Sequence, residues 1–174
     1  MRVSPIGTYH PERDPVTVSA LLEVLERIQP EVVFAETPRT HIAAWTDGSH
    51  GNVESLAVAR YAHAHWAEVV PVDLPMPEDS FFRDHDEVTR AMERASPQFR
   101  RLMDLNSDRV REEGFSYLNS GECDQAWADI YREELATIEY LRNSRLADIY
   151  ARVRDLIERR DQEMLRSIAE FCER

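Results

Sequence analysis

Short apolar segments alternate with helical patterns along the first 75 residues of the chain. Apolar side chains recur every three to four residues in two stretches, which predicts amphipathic helices. Asp14 and Pro15 are typical of a helix start, Pro30 ends that helix, and Pro5 favours an edge or irregular position for the first strand. We predict strands at residues 2–7, 31–36 and 69–72 and helices at residues 15–28 and 52–67. Because strands and helices alternate, the strands need crossover connections and form a parallel sheet.

Beyond a proline-rich corner at residues 75–80, the pattern is helical and indicates no strand. We predict helices at residues 80–94, 96–106, 122–142 and 143–173. The last one carries an apolar stripe from Leu146 to Cys172, which is typical of core or helix-pair packing. The predicted fold class is therefore α/β, with a small three-layer core containing a parallel sheet in residues 1–75. Residues 76–174 form a large helical C-terminal part that packs on or beside that core.

Charge and composition narrow the classes of function. The 174 residues carry 21 Arg, no Lys and 33 acidic side chains, for a net charge of −12, whereas generic nucleic-acid binders need a basic face. No apolar run approaches the roughly 18 residues of a membrane span, and the N-terminus has no apolar signal core. Two cysteines, Cys123 and Cys172, favour reduced thiols over a disulfide framework. We therefore expect a cytoplasmic protein that has no membrane span and does not bind nucleic acid.

Three polar side chains follow the predicted strands. His10 comes after the first strand, Glu36 ends the second and Asp73 ends the third. Parallel sheets place ligands just beyond the carboxyl ends of their strands, so His10 and Glu36 are candidates for one shared site. An imidazole and a carboxylate suit either a divalent metal or a general base with its partner. The alternative is that each residue makes only a local hydrogen bond in its loop.

The loop before the second helix and the start of that helix add further candidates. His50 is flanked by Gly48 and Gly51, which let the loop approach a ligand closely. The helix that follows points its N-terminus towards the same crevice and favours an anion there. Glu54 lies in the first turn of that helix. It either complements the helix dipole or points into the crevice with His10 and Glu36.

The order and spacing of these motifs resemble the TraB/PrgY–Tiki–ChaN–erythromycin-esterase superfamily. Residues 7–10, Gly-Thr-Tyr-His, match the GxxH that follows the first strand of that family. Residues 32–36 resemble its second strand, which ends in Glu. Glu54, the Ala-rich helix behind it and residues 70–73 resemble the next two elements, and residues 158–164 resemble a late helical motif. The resemblance covers residues 1–75 and about 150–172.

The resemblance implies an α/β core with a helical insertion and a polar crevice. Members of the superfamily include metal-dependent peptidases, a haem-binding lipoprotein, esterases that act on macrolides and pheromone-shutdown proteins. The residues carried over by position are His10, Glu36 and Glu54 in the crevice, Gly7 in the GxxH motif, and Arg160 and Asp161 near the rim.

The chain departs from the family pattern in two ways. Relatives return from the helical insert into a second half-sheet with a second GxxH histidine, and this sequence stops at Arg174, where that half is expected to begin. His41 or His50 would have to substitute for the second histidine. The residue after Glu36 is Thr37, where relatives often have an apolar residue. We therefore expect either an incomplete site or one completed by another subunit.

The first hypothesis is a small TraB/Tiki-like hydrolase, divalent-metal-dependent, that acts on a peptide or ester bond. His10 and Glu36 would hold Mn²⁺, Co²⁺ or Zn²⁺, or polarise water, and Glu54 would serve as a ligand or general base. A ligand set of one histidine and carboxylates does not discriminate among these ions.

Two alternatives remain open. The second hypothesis is a catalytically incomplete binding module of the same fold that takes a small ligand, a peptide or haem, with His10, His50 and Tyr9 as candidate axial ligands. The third is an interaction protein whose C-terminal helices form a dimer interface. It is compatible with either of the others. Because three strands are few for an independent sheet, we expect a homo-oligomer or a partner that supplies the missing half.

Overall fold

The computed structural model describes residues 2–9 and 12–173, so His10 lies outside the described residues. The chain divides into two compact units. The first consists of residues up to Pro75, Val110–Asn119 and the chain from Arg160 onwards, and the second of Met76–Arg109 and Ser120–Arg159. The sequence analysis did not anticipate that two later segments belong to the first unit.

The first unit contains a two-stranded parallel sheet flanked by helices. Its strands are β1 (Val32–Ala35) and β2 (Glu68–Pro71), which pair from Val32 with Glu68 to Ala35 with Pro71. Its helices are α1 (Val18–Ile28), α2 (Ile42–Thr46), α3 (Val53–His65) and the short α6 (Phe115–Leu118), and a 3₁₀ turn at Arg39–His41 precedes α2. This confirms an α/β arrangement rich in helix. Three layers remain a prediction, since the described residues form two strands instead of the expected three.

The predicted strand at residues 2–7 is absent from the described structure, where residues 2–9 have no regular conformation. Pro5 lacks an N–H for strand pairing, and Gly7 pairs with a side chain instead. The Gly7 N–H donates to Asn119 Oδ1 at 2.6 Å, and Asn119 Nδ2 donates to the Gly7 carbonyl at 3.1 Å. The segment is therefore fixed by a tertiary contact that no local pattern reveals.

Helix α1 begins later than predicted. Thr17 is the N-cap, and its hydroxyl accepts the N–H of Ala20 at 3.2 Å. Asp14 and Pro15 lie instead in the turn of a small bridge in which the Arg13 N–H donates to the Val16 carbonyl at 3.0 Å. Asp and Pro favour such turns as strongly as helix starts, which explains the error.

The core of the first unit lies between α1 and α3. Leu21 and Leu25 of α1 and Ala57 and Tyr61 of α3 are buried. Helix α3 begins where predicted because Asn52 caps it by accepting the Ser55 N–H at 2.8 Å. The apolar periodicity of the sequence therefore gives the correct inner faces for both helices.

The second unit is helical. It draws on α4 (Asp79–Ala95), α5 (Pro97–Glu113), α7 (Gly121–Leu141) and α8 (Ser144–Cys172). Its core contains Val88, Phe99, Ile130 and Ile149, all nearly inaccessible to solvent. The first half of the predicted apolar stripe of α8 is buried in this core, which confirms packing as its role there. Among the described residues, no helix is both long and apolar enough to cross a membrane.

Candidate functional site

Two carboxylates and one guanidinium meet at the carboxyl ends of the strands. Glu36 directly follows β1, Asp73 lies two residues after β2, and Arg160 comes from α8. Arg160 Nε donates to Asp73 Oδ1 at 3.0 Å, and Arg160 Nη2 donates to Asp73 Oδ2 at 2.6 Å and to Glu36 Oε1 at 2.7 Å. We call these three residues the strand-end cluster.

Backbone pairing brings the two carboxylates of the cluster together. The parallel ladder continues past the strands, because the Val72 N–H donates to the Ala35 carbonyl at 3.1 Å and the Asp73 N–H donates to the Thr37 carbonyl at 3.2 Å. Glu36 and Asp73 are joined by their shared arginine, whereas the sequence predicted a shared site for Glu36 and His10, which lies outside the described residues.

Burial differs sharply across the strand-end cluster. The exposed fraction of the side chain is 1% for Asp73, 32% for Arg160 and 48% for Glu36. Asp73 also accepts the N–H of Leu74 at 2.7 Å. Hydrogen bonding to Asp73 raises the pKa of the Arg160 guanidinium, although partial burial opposes this. Asp73 is therefore the buried anchor of the cluster, and Glu36 is its solvent-facing member.

Glu54 is a buried carboxylate. It occupies the first turn of α3 and is 6% exposed. The Thr8 hydroxyl donates to Glu54 Oε1 at 2.6 Å. Glu54 thus contacts the segment that leads to His10, which is more than the dipole role requires. His10 itself lies outside the described residues.

The remaining predicted site residues have other surroundings. His50 lies 5.9 Å from Trp45 between ring centroids, and its backbone N–H donates to the Ala44 carbonyl at 3.0 Å. The flanking Gly48 and Gly51 have φ values of 76° and 82°, which favour glycine. Asp161 is exposed on α8. Gly7 is held by its paired hydrogen bonds to Asn119.

A cavity of about 400 Å³ adjoins Asp73 in the first unit. Its walls are the chain after β2, the turn before α2 and the end of α8, with Leu74, Arg39 and Phe171 among them. Arg166 also lines it and pairs with Glu163 at 2.5 Å and with Glu170. No local pattern in the sequence predicts this cavity, because its walls come from three separate segments of the chain.

Among the described residues, which do not include His10, no three or more His, Cys, Asp or Glu side chains are arranged to hold a metal ion. Comparisons of the chain with protein-family models, with curated proteins and with solved structures find no match.

Proposed function

We propose that the chain is a small hydrolase that acts on a peptide or ester bond, with the acid–base chemistry supplied by Glu54 and His10. The observation that carries this proposal is the 2.6 Å hydrogen bond from Thr8 to Glu54. Thr8 lies two residues before His10, so the bond ties the Gly7–His10 segment to a nearly buried carboxylate.

This arrangement suits hydrolysis. A carboxylate removed from bulk water and fixed by one hydroxyl can accept a proton from an attacking water molecule. The resulting hydroxide adds to the carbonyl carbon, and the leaving oxygen or nitrogen takes a proton from His10. Glu36 carries the exposed negative charge of the strand-end cluster and would orient the substrate or polarise the water.

The superfamily resemblance adds a divalent ion on His10 and Glu36, and the described residues fit that ion poorly. Glu36 Oε1 accepts a charged hydrogen bond from Arg160, and both oxygens of Asp73 accept from the same guanidinium. We therefore assign the acid–base chemistry to Glu54 and His10 without a metal ion. Loss of turnover in EDTA, with recovery in Mn²⁺, Co²⁺ or Zn²⁺, would contradict this assignment.

Hydrolysis of p-nitrophenyl esters and of a fluorogenic peptide pool tests the proposal directly. Glu54→Gln removes the base and is expected to lower the rate at least about a hundredfold. Thr8→Val, which loses only the hydroxyl, is expected to lower it by roughly tenfold. Glu68→Gln is the matched control, because Glu68 is an exposed glutamate at the opposite end of β2. A Glu54→Gln variant as fast as wild type would refute the assignment.

The cavity beside Asp73 favours a second candidate, a binding module for a small ligand or peptide. About 400 Å³ is within the range of small-molecule sites. Haem is the alternative ligand from the sequence, and titration with haem would show a Soret shift if His50, His10 or Tyr9 bound the iron. A module that binds such ligands but hydrolyses none of the substrates above would displace the hydrolase proposal.

The chain is further proposed to form a homo-oligomer. Leu165, in the second half of the α8 stripe, is 69% exposed, and Leu135 on α7 is 52% exposed. Large exposed apolar side chains are candidates for an interface. Light scattering at micromolar concentration tests this, and a monomeric mass for the wild type would contradict it.

A further inference from the structure

The strand-end cluster has the composition of a cation site that is already filled. Carboxylates from neighbouring strands converge at one edge of the sheet, and carboxylate pairs of this kind are typical ligands for Mg²⁺, Ca²⁺ and Mn²⁺. Here the cation between the two carboxylates is the guanidinium of Arg160. Arg160 reaches three carboxylate oxygens, at 2.6, 2.7 and 3.0 Å, through two of its nitrogens.

We infer that Arg160 is the resident cation of the crevice and takes the place between Glu36 and Asp73 that a divalent ion would otherwise occupy. It is thereby a positioning residue, which holds Glu36 at the carboxyl end of β1. The inference rests on the proposed function only in placing Glu36 in the reacting crevice, since the geometry of the ion pairs does not depend on any reaction.

Burial explains why the guanidinium keeps this place. Asp73 is 1% exposed, so an ion from solvent would have to remove Arg160 before it reached Asp73. The planar fork of arginine matches a carboxylate in two hydrogen bonds and stays protonated at any physiological pH. Glu36 alone, with one oxygen bound to Arg160, would offer a divalent ion a single monodentate ligand.

The charges of the cluster give the test its direction. Two carboxylates and one guanidinium leave a net charge of −1, and removal of Arg160 would leave −2 on two adjacent oxygen ligands. Replacement of Arg160 by a neutral residue should therefore create a divalent-ion site. Arg159→Gln is the matched control, because Arg159 is the preceding residue of α8 and pairs with Asp155 instead.

The first measurement is the thermal shift of each protein in increasing MnCl₂, followed by titration calorimetry. We expect Arg160→Gln to bind Mn²⁺ at least tenfold more tightly than wild type, and Arg160→Gln/Glu36→Gln to lose that gain. Arg159→Gln should behave as wild type. A folded Arg160→Gln protein that gains no Mn²⁺ affinity would overturn the inference.

A second comparison applies if Arg160→Gln does not fold, and it leaves Arg160 and Asp73 in place. Wild type and Glu36→Gln should respond identically to Mn²⁺, because Glu36 is already bound to Arg160. Loss of a wild-type Mn²⁺ shift in Glu36→Gln would overturn the inference. Hydrolysis is measured separately in the same samples. Absence of turnover in wild type would count against the proposed function and would leave these Mn²⁺ results to decide the role of Arg160.

Discussion

The unequal burial of Asp73 and Glu36 predicts unequal effects when each carboxylate is neutralised. Both accept hydrogen bonds from Arg160, but the exposed fraction of the side chain is 1% for Asp73 and 48% for Glu36. Asp73→Asn and Glu36→Gln each remove one negative charge with almost no change of shape. Comparison of these two variants therefore separates the effect of burial on stability from the effect of losing an ion pair.

The expected magnitudes differ severalfold. Breaking a buried ion pair costs about 3–5 kcal/mol because the partner charge is left without compensation. Arg160 is partly exposed and keeps Glu36, so we place Asp73→Asn near the lower limit, at about 3 kcal/mol. Glu36→Gln removes a half-exposed pair and should cost less than about 1 kcal/mol.

Urea unfolding followed by tryptophan fluorescence measures both values. Trp45 and Trp66 lie in the first unit and Trp127 in the second, so a Trp127→Phe background makes the fluorescence report on the first unit. With a slope of about 2 kcal/mol/M, Asp73→Asn should lower the urea midpoint by about 1.5 M and Glu36→Gln by less than 0.5 M or so.

Equal shifts for the two variants would refute this reasoning, as would a shift below about 0.5 M for Asp73→Asn. Either result would mean that the buried carboxylate is not the anchor of Arg160. A double variant of Asp73→Asn with Arg160→Gln gives the coupling directly, and the cost of the pair should be well below the sum of the two single costs.

Three further predictions concern other parts of the chain. Gly7→Ala should lower the melting temperature, because a Cβ at Gly7 would lie 2.6 Å from the Leu118 carbonyl oxygen; an unchanged melting temperature would contradict this contact. Ile130→Ala should cost about 2–5 kcal/mol in urea unfolding, whereas Leu135→Ala, half-exposed on the same helix, should cost far less. Burial raises the pKa of the Glu134 carboxyl, so the folded protein favours the protonated form. The contribution of this group to the free energy of unfolding is therefore fully present below pH 4.5 and is lost as the pH rises through the raised pKa. Glu134→Gln should therefore raise the melting temperature at neutral pH and lose that advantage at pH 4, and a gain independent of pH would refute the assignment.

Elements with a local signal were predicted best, and they include both strands of the sheet. Helices α1 and α3 end within a few residues of the predicted positions, since their apolar periodicity and the Asn52 cap lie within the segments themselves. The strand predicted at residues 2–7 was wrong because its conformation depends on Asn119, more than a hundred residues later. The three-residue error at the start of α1 reflects the similar preferences of Asp and Pro for turns and helix starts.

The candidate site also depends on contacts between residues that are distant in the sequence. The sequence pattern placed Glu36 and Asp73 after parallel strands, where both lie, but it indicated His10 as the neighbour of Glu36, and His10 lies outside the described residues. The spacing of the sequence could not reveal that Arg160 joins Glu36 and Asp73, because α8 approaches the strands only through tertiary packing. The resemblance put Arg160 at the rim of the crevice. The resemblance gave no partner for Arg160. No sequence pattern predicted that Asp73 would be the buried carboxylate of the strand-end cluster.

The contribution of late residues to the first unit affects how that unit can form during synthesis. The sheet and its first helices are complete by Pro71, yet Asn119 and Arg160 come much later. At about 5–20 residues per second, the ribosome needs roughly 4–17 s between Asp73 and Arg160. For that time the nascent chain carries a carboxylate whose native neighbour has not been translated. The pairing of Asp73 with Arg160 therefore waits until the end of the second unit has been translated.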